Sequence, residues 1–364
     1  MKGRGWLVYL VLGTTLSVVA AFSRSSVLIG LVTQLVGWVG LLVWLRDDLR
    51  KSIRGGLADR PWTFFALGGA AFLVAGAVRT AHGSIVGEAR PFPSPADAIA
   101  LAGHVILIIG GNVLGHLRSP DRNRAAIIDG AIIAAGLQTL VWAFLLWPYV
   151  TDGTIPWDDR AINCIYAAMT MTLLAAIGRL AIGPGARTMS YRLLAGAVVL
   201  LFVQDVLVTV ETVGGPEATL GRALAPFIYV LVGAAAGHPD RLRISEAVTR
   251  LDVRLSWRRA AVLITALLIN PMILAVQLAT GARPALVVVA VSSTALTFLV
   301  LARFVLLSRF QERAVDVQRI QRDANAELDT ASNRPAMHHS ALRAAGRLAA
   351  GVDGLRVSIS DAVG

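Results

Sequence analysis

Between residues 5 and 307 the chain returns repeatedly to apolar runs about twenty residues long, broken by short segments that carry arginine. A helix rising about 1.5 Å per residue needs about twenty such residues to cross roughly 30 Å of hydrocarbon. Ten runs meet that length, at roughly 5–23, 26–45, 62–80, 95–117, 126–149, 161–182, 193–213, 220–237, 260–279 and 285–307. None alternates apolar with polar as a barrel strand would. Helices also satisfy their own backbone amides, which lipid cannot do for them. The runs therefore predict an all-α polytopic membrane protein with about ten transmembrane helices. Composition agrees: 55% of the 364 residues are hydrophobic and 16% charged, against about 25% charged in soluble chains.

The charge of +11 invites a nucleic-acid reading, which fails once the cations are placed. They sit in the breaks between runs, where they orient a membrane protein. With Lys2 and Arg4 inside, alternate loops place inside Arg46, Arg50, Lys51, Arg54 and Arg60, then Arg118, Arg122 and Arg124, then Arg187 and Arg192, then the arginines from Arg241 to Arg259. The outside loops hold only Arg24, Arg90, Arg160, Arg222 and Arg283, with Arg79 at a helix end. This bias predicts a multi-pass protein of the inner (plasma) membrane with both termini cytoplasmic. The first run lacks a small-residue cleavage motif and is expected to stay as a helix. Trp142, Trp147 and Trp157 fit an interfacial belt, and Pro148 and Tyr149 are expected to close the fifth helix. Ile244, Val248, Leu251 and Leu255 recur at helical spacing among arginines, which predicts an amphipathic helix on the inner membrane surface.

Polar side chains inside apolar runs are costly and point to function. Gln204 and Asp205 sit mid-run in the seventh helix, His104 and Asn112 in the fourth, and Gln138 in the fifth. One reading has Asp205, with His104 or Asn112, lining a ligand or proton site, with Gln204 and Gln138 as further lining candidates. The other has the same groups bonding helix to helix. Asp129 follows the basic run RSPDRNR and reads as a local ion-pair partner, while Arg179 lies near enough to the inner surface to snorkel. Asn270-Pro271 suggests a kink or a broken-helix site. No HExxH, CxxC, GxxxxGK[ST] or GxSxG occurs, and Cys164 is the only cysteine, so no catalytic residue, metal site or cofactor is expected. The glycines of IIGGNVLG and IIDGAIIAAG read as close helix contacts rather than phosphate loops.

From residue 307 to 328 the chain reads LSRFQERAVDVQRIQRDANAEL, charged and free of Gly and Pro. Phe310, Ala314, Val317, Ala324, Leu328 and Ala331 follow a heptad seam, which predicts a signalling helix over 308–334 that pairs across a homodimer. Asn333-Arg334-Pro335 breaks it. A further amphipathic segment with His338-His339 and the alternating LRVSIS then read as an incomplete α/β fragment over 335–364.

One resemblance adds to this. Pro93, Ser94, Ala96 and Asp97 at one helix start, followed by Arg124 and Asp129 in the next, resemble the N-terminal membrane region of actinobacterial diguanylate cyclase/phosphodiesterase proteins with GGDEF and EAL domains. The tail ELDTASNRPAMHHSALRAAGRLAAGVDGLRVSIS looks like the start of a GAF-type module. The resemblance implies that residues 1–307 form a membrane sensor or anchor, and that a cytoplasmic output domain absent from this chain handles cyclic di-GMP. No GGDEF or EAL motif occurs in the chain itself. The expected partners are the lipid bilayer, a second copy, and a small-molecule or membrane-state stimulus. The alternative is a small-molecule transporter or membrane-embedded enzyme that uses Asp205 and its neighbours.

Overall fold

The computed structural model describes residues 5–54, 60–87, 93–118, 123–151, 153, 155–182, 188–212, 219–246, 257–281 and 285–330. Among these, every regular element is a helix. In chain order they are α1 (Gly5–Ser23), α2 (Ser26–Arg54), α3 (Arg60–Val86), α4 (Pro95–Arg118), α5 (Asn123–Val141), a π turn (Trp142–Leu146), α6 (Trp147–Thr151), α7 (Trp157–Ile182) and α8 (Met189–Thr212). They continue as α9 (Thr219–Ala223), α10 (Ala225–Gly237), a 3₁₀ turn (Pro239–Ser245), α11 (Trp257–Ala279) and α12 (Leu286–Thr330). Among the described residues, seven helices are long and apolar enough to cross a membrane: Gly5–Ser23, Pro61–Gly83, Pro95–Arg118, Ile127–Leu146, Trp157–Leu180, Met189–Val210 and Leu286–Arg309. The other three expected runs are shorter apolar helices over the described residues, at Ser26–Leu42, Gly221–Gly237 and Leu267–Ala279. By length alone, seven of the ten expected spans stand.

The chain divides into two compact units, Met1–Leu299 and Val300–Gly364. In the first, α4, α7, α8, α10, α2 and α3 pack successively into a closed ring. Its core joins Trp62 and Phe65 of α3, Leu114 of α4, Ile177 of α7, Leu194 of α8 and Ala235 of α10. Outside the ring, α1 lies on α10 and α2, α5 on α7, and α11 on α5. Small residues set these contacts, since lipid gives helices no hydrophobic reason to associate. A Cβ at Gly110 would lie 2.8 Å from Phe64 Cβ, so α3 and α4 touch there backbone to side chain. Tyr9 of α1 lies across Gly40 and Gly233, its hydroxyl 3.0 Å from the Val36 carbonyl and 3.2 Å from that of Tyr229. The outward faces are apolar: Phe22 is 85% exposed and Phe298 69%. In water such a belt would be an aggregation surface; for this protein, lipid is the solvent.

Several local expectations change. The fifth helix does not end at Pro148 and Tyr149 but passes them to Thr151. The π turn makes this possible: the Trp147 N–H reaches back to the Trp142 carbonyl, widening the helix just before a proline ring that would crowd a normal turn. The eighth run is split at Leu224, with Pro226 in the first turn of α10, where its missing N–H costs nothing. Helix α11 continues through Pro271 without interruption, so it is not a broken helix. Ile244 is buried in the ring core on the 3₁₀ turn rather than lying on a membrane surface, while Val248, Leu251 and Leu255 fall outside the described residues.

In the second unit, α12 continues to Thr330. Gln318, Arg319, Arg322 and Asp323 are exposed. The side chains of the expected seam and all of 331–364, with the Asn333–Pro335 break, His338-His339 and LRVSIS, lie outside the described residues.

Candidate functional site

Helix α4 begins with a carboxylate turned inward. Ser94 precedes its first turn, and the Asp97 Oδ2 accepts from the Ser94 N–H at 2.7 Å and from the Ser94 hydroxyl at 3.1 Å. This is the reciprocal half of a capping box, which ties down the start of the helix. The other oxygen, Oδ1, pairs with the Arg79 guanidinium of α3 and accepts from the Tyr166 hydroxyl of α7 at 2.9 Å. Asp97 thus joins α3, α4 and α7.

Two turns further along the same face of α4 lies His104, fully buried. The spacing of seven keeps Asp97 and His104 on one face, about 10 Å apart along the helix. The His104 Nδ1 lies 3.2 Å from the Ala100 carbonyl, and Nε2 lies 3.1 Å from Thr170 Oγ1 of α7. Thr170 Oγ1 is bonded in turn to Asp205 Oδ2 of α8. The imidazole is held edge-on between Phe72 of α3 at 4.7 Å and Tyr166 at 5.6 Å, centroid to centroid. Four helices therefore contribute to one ladder of polar side chains: Arg79, Asp97 and Tyr166 at one end, and His104, Thr170 and Asp205 further in.

The other sequence candidates stay apart from this ladder. Asn112 donates to the Ile108 carbonyl of its own helix at 2.9 Å. Both amide atoms of Gln138, and Oε1 of Gln204, are buried and find no hydrogen-bond partner among the described residues. Sequence reasoning missed Thr170 and Tyr166, although Asn163, Tyr166 and Thr170 recur at three and four residues, a polar stripe on α7. Threonine attracts no attention in an apolar run because its hydroxyl commonly bonds its own helix, as Thr172 does to Ala168 here.

At the far end of α4, Arg179 does not snorkel. It is buried, with Nη2 donating weakly to the Gly111 and Asn112 carbonyls, both at 3.4 Å. Gly115 and Gly130 leave the room it occupies. The glycines of IIGGNVLG and IIDGAIIAAG thus serve helix approach, as expected. Arg118 is buried too, its guanidinium 5.7 Å over the Tyr191 ring.

Within the first unit, the opening turns of α12 are held by amides on α11. Asn270 Nδ2 donates to Ser292 Oγ at 3.0 Å and to Ser293 Oγ at 2.8 Å. Gln277 Nε2 donates to the Ala143 carbonyl in the π turn at 3.2 Å, while its Oε1 accepts from the Ala285 N–H at 3.1 Å, just before α12 begins. A π turn disturbs the regular carbonyl pairing, and Gln277 fills the gap while capping the next helix.

The class these features define is a membrane protein of apolar helices with a polar ladder inside it. Set against known proteins, the chain matches no family model, no curated protein and no solved structure. Among the described residues no group of His, Cys, Asp and Glu side chains is placed to hold a metal ion.

Proposed function

We propose that the chain is the membrane-integral sensory region of a signal-transduction protein, with both termini cytoplasmic and α12 as its output element. A change in the bundle shifts the packing of α12, and the shift passes along the helix to a homodimeric partner and a cytoplasmic enzyme. On the sequence resemblance, that enzyme makes or degrades cyclic di-GMP. The observation that carries the reading is α12 itself: 45 residues without a break, apolar over Leu286–Arg309 and strongly charged thereafter. A transmembrane anchor needs no such extension, whereas a lever does. The stimulus must interact differently with the two packings, or nothing is transmitted.

The test is a pair of insertions after Ser308 in the chain carrying its output domain. Four residues put the heptad seam out of phase and seven restore it. Cyclic di-GMP turnover altered by four and recovered with seven supports the lever; turnover indifferent to both refutes it. A second reading, solute transport through the bundle, is favoured by the charged groups of the ladder. Solute uptake into proteoliposomes, lost in Asp205→Asn, would put transport first.

A further inference from the structure

The bonds around His104 count its hydrogens. The Ala100 carbonyl can only accept, so while that bond is made Nδ1 carries hydrogen, and in a neutral imidazole Nε2 is then an acceptor. Its partner there, Thr170 Oγ1, owns one hydrogen and is also bonded to Asp205 Oδ2. If Thr170 donates to His104, the carboxyl of Asp205 must supply the hydrogen of its own bond and is protonated. If Thr170 donates to Asp205, Nε2 must be a donor and the imidazole is a cation. Both arrangements hold the same total: one proton more than a carboxylate beside a neutral imidazole. They differ only by a shift of two hydrogens, one across each bond. With that proton gone to water, the three contacts cannot all hold a hydrogen: one of them, Asp205 to Thr170, Thr170 to His104 or, in the other imidazole tautomer, His104 to Ala100, sets two lone pairs against each other.

We infer that Asp205, Thr170 and His104 form a proton-binding site in which one shared proton completes all three bonds of the chain from α8 through α7 to α4, and its loss opens one of them. Two of the three bonds cross between helices and the third seats the imidazole on α4, so occupancy of the site couples to helix packing. Thr170 is fully buried and the imidazole is held between two rings, so neither of these side chains can swing away to find another partner. The charged and titratable groups nearby do not compete for the proton. On α4 and α3, Asp97 and Arg79 pair with each other, and Tyr166 of α7 donates to Asp97. Arg179 of α7 is turned to the Gly111 and Asn112 carbonyls. Asp129 of α5 and Tyr229 of α10, on helices packed against α7 and α8, make no hydrogen bond to the triad.

As the stimulus of the signalling reading this proposal rests on that reading; as a proton site it does not, so the test uses the chain alone in nanodiscs. Infrared difference spectra over a pH titration follow the protonated-carboxyl band of Asp205, identified by its loss in Asp205→Asn. Nitrogen-15 shifts of labelled histidine follow His104. A shared proton predicts that both signals titrate together in the unmodified chain and in Thr170→Ser. In Thr170→Val the midpoints should separate by about one pH unit or more, because an interaction of at least about that size is what makes two groups titrate as a pair. Separate midpoints in the unmodified chain, or no effect of Thr170→Val, overturn the site whatever the output does. A joint titration, with cyclic di-GMP turnover indifferent to pH in the chain carrying its output domain, would leave the site standing and overturn the proton as the stimulus of the signalling reading.

Discussion

Replacing Thr170 by valine removes one hydroxyl and keeps the shape of the side chain, so it isolates the hydrogen bonds at the centre of the ladder. Two bonds disappear, one to His104 of α4 and one to Asp205 of α8. Inter-helix bonds of this kind in membranes contribute about 0.6 kcal/mol on average and up to about 1.7. The pair is therefore worth about 1–3 kcal/mol, and no cavity adds to the cost. Unfolding in mixed micelles with a denaturing detergent, followed by circular dichroism, gives the difference. Thr170→Ser should stay near the parent. A double-mutant cycle with Asp205→Asn should show coupling of at least about 0.5 kcal/mol, because the two side chains touch. A cycle with Gln277→Leu, on another helix and with no shared partner, should be additive. A Thr170→Val variant within about 0.3 kcal/mol of the parent, with no coupling to Asp205, would refute the reasoning.

Two further outcomes follow from the packing. Gln277→Leu leaves the Ala143 carbonyl and the Ala285 N–H without partners in an apolar setting, which should cost about 1–3 kcal/mol and raise amide exchange at the start of α12. Gly110→Val places a branched side chain against Phe64 and Phe65, forcing α3 from α4. Overpacking of this sort costs about 1–3 kcal/mol, read as a lower midpoint in the same unfolding assay.

The helices were legible because lipid imposes one strong rule, a length of unbroken apolar sequence, and all ten expected runs coincide with helical structure. What periodicity could not reveal was interruption from within. The π turn at Trp142–Leu146 and the split at Leu224 are adjustments to Pro148 and Pro226, and an apolar run reads the same with or without them. The site was half legible. Asp205 and His104 stood out because charge in lipid is expensive, but their link, Thr170, is an ordinary residue whose role depends on three helices meeting. Asn112 looked equivalent to His104 by type and helix, yet its amide is satisfied within its own turn. Arg179 was misjudged because its depth depends on Gly115 and Gly130, which belong to other helices.

The central claim is that the state of the ladder sets the packing of α12 across a dimer. Spin labels at Gln318, exposed on the charged part of α12, test it by pulsed electron resonance in nanodiscs, in a Cys164→Ser background carrying Gln318→Cys. The account predicts an intermolecular distance that shifts when Thr170→Val is added. No intermolecular signal, or one unchanged distribution in both proteins, would contradict it.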